Sequence, residues 1–144
     1  MEFDYRIFRK KEDLDGTGYI EIGPGAYQEK HWQPGFLFIW EHAFAMAEGI
    51  LIKHFPTFDH FGMNDIPRYV GKTVIADWQA AASELPHLSA AETVRRLNLD
   101  AVYRNADGME IVQNAEGIAA MLVELAGECK KFYETEEWLC VLGM

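Results

Sequence analysis

The chain has 144 residues, 49% hydrophobic and 13% aromatic, which suits one folded domain over residues 1–144 and excludes wholesale disorder. Its 13 Lys and Arg stand against 23 Asp and Glu, a net charge of −10. That balance argues against a nucleic-acid binder and against docking on an anionic membrane, since both need a basic footprint.

In chain order, Phe3, Tyr5 and Ile7 alternate with polar neighbours, the period of a half-buried strand. A turn-rich stretch, Asp13 to Gly18, leads to a second strand over Tyr19–Ile22, stopped by Gly23-Pro24-Gly25. The two strands are expected to form a hairpin. A long helix is expected to open at Pro34 or Gly35 and run to about His54. Its polar strip (Glu41, Ala45, Glu48) is narrow, so it should be packed on more than one side. Glu41, His42, Glu48 and Lys53 interrupt the apolar run Phe36–Phe55, which therefore reads as a buried helix and not as a membrane span.

Residues 56 to 67 read as a loop rich in Phe, His and Asp. A second helix is expected from Val70 or Thr73 to Leu85, ended by Pro86. Ser89-Ala90-Ala91-Glu92 has capping-box spacing and should start a third helix over Thr93–Leu99. Asn105 to Gly108 reads as a turn. Asn114 should cap a fourth helix carrying Ile118, Met121, Leu122, Leu125, Cys129 and Phe132 at i+3/i+4 spacing. Trp138–Leu142 reads as a last buried strand. The fold class expected is α+β, with a small antiparallel sheet from the N-terminal hairpin and the C-terminal strand packed against about four helices.

Motifs with chemical meaning are few. Asp13-Leu14-Asp15-Gly16-Thr17-Gly18-Tyr19-Ile20 is similar to the start of an EF-hand loop, but Pro24 stands where the bidentate Glu belongs and no helix precedes it. A hairpin turn is the simpler reading. Gly71-Lys72-Thr73 matches the tail of a phosphate-binding loop, yet Ile66 occupies the position of its first Gly. Ser83 and Ser89 lie outside any nucleophile motif. Cys129 and Cys140 fall at core positions, which suits reduced thiols in the cytoplasm; the N-terminus also lacks the pattern of a secretory leader. No catalytic signature and no cofactor motif is present, so the expectation is a protein that is not an enzyme.

Surface chemistry remains. Trp32, His54, Phe55, Phe58, His60 and Phe61 lie in or beside loops, and aromatics next to acids, such as Phe58-Asp59, suit an interface anchor with a charged rim. A second acidic set, including Asp107, Glu110, Glu116, Glu124, Glu128, Glu134, Glu136 and Glu137, would steer a basic protein. The residues expected to touch a partner are Phe58, Asp59, His60, Asp107, Glu110, Glu134, Glu136 and Glu137.

The acidic chain, its aromatic loop and the tail Glu136-Glu137-Trp138-Leu139-Cys140-Val141-Leu142-Gly143 resemble the cytosolic immunity proteins of bacterial polymorphic toxin systems, including contact-dependent growth inhibition. The resemblance implies tight binding to one cognate toxin domain, often a basic nuclease, whose active site or substrate groove is occluded. Two other readings stay open. One is a small metal-dependent enzyme or ligand-binding protein using His42, His54, Asp59 and His60. The other is a structural homo-oligomer, for instance a homodimer, joined through Trp32 and the apolar girdle of the Phe36–Phe55 helix.

Overall fold

A computed structural model describes residues 4–102 and 114–143. Its elements in chain order are β1 (Ile7–Phe8), β2 (Tyr19–Pro24), β3 (Leu37–Trp40), α1 (Glu41–His54), β4 (Met63–Pro67), α2 (Arg68–Glu84), α3 (Ala90–Arg96), α4 (Ala115–Thr135) and β5 (Trp138–Leu142). Among the described residues these make four helices and one antiparallel five-stranded sheet of order β1-β3-β2-β5-β4. The α+β class expected from the sequence is the one observed.

The sheet is assembled differently from expectation. β1 and β2 do not form a hairpin: β1 pairs β3, while β2 pairs β3 on one side and β5 on the other. The missing partner, β3, comes from the stretch expected to begin the long helix. Leu37 and Ile39 face the helical core, and Phe36 and Phe38 face the opposite layer. A strand covered on both faces is apolar at every position, and such a run cannot be told from buried helix by periodicity. The helix starts only at Glu41, whose amide donates to the carbonyl of Gly18 at 2.8 Å. Residues 56 to 67 are likewise not all loop, because β4 forms the edge of the sheet along β5.

The other helices fall close to expectation. Ser89 accepts from the Glu92 amide at 3.2 Å and the Glu92 carboxylate accepts from the Ser89 amide at 2.8 Å, a complete capping box. Along α4, Ile118, Met121, Leu122, Leu125 and Cys129 are all buried. The EF-hand-like stretch is a connection into β2 in which Gly16 and Gly18 take φ of +87° and +93°, the left-handed conformation that glycine permits. Gly71-Lys72-Thr73 lies inside α2 and not in a phosphate-cradling loop.

One face of the sheet carries the main core, where Ile20, Ile22, Ile66, Leu139 and Val141 meet α1, α2 and α4. α1 is enclosed from Ala43 to Leu51, as its narrow polar strip implies. On the other face Phe36, Phe38, Cys140 and Leu142 form a thinner layer under Phe8, Leu14, Tyr19 and Tyr27. Trp32 stacks on Phe38 with ring centroids 5.5 Å apart, so the indole expected as an oligomer contact is partly spent within the chain. Among the described residues no helix is long and apolar enough to cross a membrane.

Candidate functional site

The aromatic-acidic loop runs directly into β4, and side-chain exposure alternates through both. Asp59, Phe61, Met63 and Asp65 point outward, whereas His60, Gly62, Asn64 and Ile66 point inward. Two large apolar groups therefore stand in solvent between two carboxylates: Phe61 is 65% exposed and Met63 64%. At the far end of the strand Tyr69 is 78% exposed, and Trp138, paired with Pro67 across the ladder, is 44% exposed. These large exposed apolar side chains, on and beside β4, make this part of the surface a candidate interaction site.

The inward residues hold the strip in shape. His60 lies between two carboxylates of α1, with Nδ1 2.6 Å from Glu48 and Nε2 2.8 Å from Glu41. Asn64 is buried. Its side-chain oxygen accepts from the Asp59 amide at 2.7 Å, and its side-chain nitrogen donates to the carbonyls of Asp59 (2.9 Å) and Val141 (3.1 Å). The Asp59 carboxylate accepts from the Phe61 amide at 3.0 Å, closing the turn that aims Phe61 outward. On the strand itself, Asp65 accepts from the Tyr27 amide at 2.8 Å and makes no ion pair among the described residues.

The residues expected from sequence to bind a partner are therefore divided. Asp59 belongs to the exposed strip. Phe58 packs against the main core near Phe44 (centroids 6.4 Å apart), and His60 is committed to Glu41 and Glu48, so these two shape the loop from beneath. Glu134, Glu136 and Glu137 lie at the opposite end of β5 from this loop. Arg68 pairs with Glu137 at 2.8 Å and donates to the Glu136 carbonyl at 3.0 Å. Glu134 lines a groove of about 440 Å³ between α2 and α4 together with Arg68, Lys72 and Lys130. Asp107 and Glu110 lie outside the described residues.

The histidines and carboxylates of the metal reading do not converge. His54 bonds Asp77 at 2.8 Å, within a network in which Arg96 joins Asp77 and Glu84. His42 packs edge-on to Trp40, and Asp59 is engaged in its turn. Among the described residues no grouping of His, Cys, Asp and Glu is arranged to hold a metal ion. Both thiols are buried, and desolvation raises them further from the thiolate, Cys140 to about 11 and Cys129 well above its ordinary value.

Sequence reasoning missed Met63, Asp65, Tyr69 and Trp138; the last was expected to be buried. The signal for the first two is the odd-numbered series 59, 61, 63 and 65, in which acid, aromatic, apolar and acid repeat with the period of a strand. In comparisons with known protein families, curated proteins and solved structures, no match is found.

Proposed function

We propose that this chain is a binding protein that captures a basic partner domain without catalysing a reaction. Its resemblance to immunity proteins makes a toxin domain the partner of choice. The observation that carries this reading is the strip Asp59, Phe61, Met63 and Asp65, where two solvent-exposed apolar anchors are bracketed by carboxylates on a rigid support. The anchors supply area to be desolvated, and the acids select for basic surface and speed encounter. The net charge of −10 adds a long-range field of the same sign. A basic domain held in this way would have its own anion-binding groove occluded.

The reading is tested by using the tagged chain as bait in its native host, beside a Phe61→Ser/Met63→Ser variant of equal thermal stability. The expected result is one basic protein retained by the wild type, released by high salt and not retained by the variant. Equal retention by both chains would refute the strip as the contact. Retention of an acidic protein would refute the charge argument.

A further inference from the structure

We propose that the partner is held by strand addition: an extended segment pairs with the free edge of β4 as a sixth strand and sets a lysine or arginine opposite Asp65. The sign of the partner's charge rests on the reading above, whereas the mode of binding rests on the backbone.

Register decides which backbone groups are free. The Gly143 amide donates to the Gly62 carbonyl at 2.7 Å, and the Arg68 amide donates to the Glu137 carbonyl at 2.9 Å. Between these bonds β4 and β5 pair as Asn64↔Val141 and Ile66↔Leu139. In an antiparallel ladder, residues that exchange bonds with one neighbour alternate with residues whose amide and carbonyl point the other way. Positions 62, 64, 66 and 68 therefore serve β5, and positions 63, 65 and 67 face outward.

β4 is the last strand of the sheet, and among the described residues nothing pairs with its outer side. The free groups are the amides and carbonyls of Met63 and Asp65; the carbonyl of Pro67, the N-cap of α2, is taken by the first bond of that helix. Pro67, which has no amide hydrogen, stands at an outward position where it costs no bond to β5. The free groups recur every second residue, the spacing at which an added strand bonds.

Edge strands are ordinarily guarded by charge, proline or cover. Asp65 and Pro67 are guards of this kind, but Phe61, Met63, Tyr69 and Trp138 leave the edge flanked by exposed apolar groups. The charge also chooses between occupants. Antiparallel pairing of β4 with a second copy in the register that uses all five residues would place Asp65 against its own copy, and like charges directly opposite are unfavourable. A strand with a basic residue at its centre and apolar residues two positions to either side meets Met63, Asp65 and Pro67 without that conflict.

The test uses the full-length chain labelled with nitrogen-15 and two seven-residue peptides. Both alternate threonine and valine; one carries lysine at the centre and the other glutamate. With the lysine peptide, the amides of Met63 and Asp65 are expected to shift and their hydrogen exchange to slow. The lysine peptide should bind about fivefold more tightly than the glutamate peptide, and Asp65→Asn should weaken the lysine peptide and remove that preference. If neither amide responds at saturating lysine peptide, strand addition is wrong, even where the bait experiment still shows Phe61 and Met63 to be contacts. Equal affinity for both peptides would overturn the pairing of Asp65 with a basic residue. Shifts of the same amides on concentrating the protein alone would show that a second copy takes the edge and would overturn the choice of occupant.

Discussion

His60 Nδ1 lies 2.6 Å from the carboxylate of Glu48, a side chain only 1% exposed. The other ring nitrogen faces Glu41. A carboxylate within hydrogen-bond distance of each ring nitrogen favours the imidazolium form of His60. Burial works against that charge, but the bonds to Glu48 and Glu41 outweigh it and hold His60 above its ordinary value of 6.5. Burial also raises Glu48, and His60 offsets only part of that rise.

The pH dependence follows from these two directions. A histidine raised in the folded state stabilises fully below 6.5, and the contribution is lost as pH rises through its folded value. A carboxyl raised in the folded state has the same sign, because the fold binds its proton more tightly. The Tm should therefore fall between pH 6 and pH 9, and His60→Asn should lower the Tm at pH 6 and flatten the decline. A wild-type Tm that stays constant across this range would refute the imidazolium.

Gly143 ends the tail at a close approach. A side-chain carbon there would come within 1.9 Å of the His60 carbonyl oxygen. Gly143→Ala must therefore push the His60–Gly62 segment away or break the bond from the Gly143 amide to Gly62. The expected cost is about 1–3 kcal/mol, the range for overpacking a tight site. Denaturant unfolding measures it, and a loss below about 0.5 kcal/mol would show that the loop yields freely.

Ser89→Ala removes the acceptor for the Glu92 amide and half of the capping box on α3. The loss should be about 1 kcal/mol, with Ser89→Gly costing less. Equal losses for the two variants would assign the effect to packing and not to the cap.

Cys129 and Cys140 sit on opposite faces of the sheet layer, both buried. In the native protein at pH 8 neither should react with an aromatic disulfide reagent over minutes, and both should react at once in denaturant. A fast native thiol would show that one of the two layers opens.

Local signals made much of this protein legible. The capping box at Ser89, the i+3/i+4 series on α4 and the compact apolar run of β5 each depend on neighbours within a few residues. Short-range geometry reads such patterns directly. The same holds for the turn at Gly16 and Gly18, where the backbone itself requires glycine. The acidic balance was likewise visible without any fold.

The sheet edge was not visible. Leu37–Trp40 became a strand because β1 and β2 flank it, and its two covered faces erased the alternation that would have marked it. Met63–Pro67 contains Asn, Asp and Pro, poor strand formers, and it is a strand because β5 lies alongside and Asn64 finds its partners in Asp59 and Val141. The site follows from that pairing. Composition determined the net charge of −10, to which the proposed basic partner would answer. The long-range register of β4 on β5, invisible to local periodicity, decided which side chains and which backbone groups would be left to meet it.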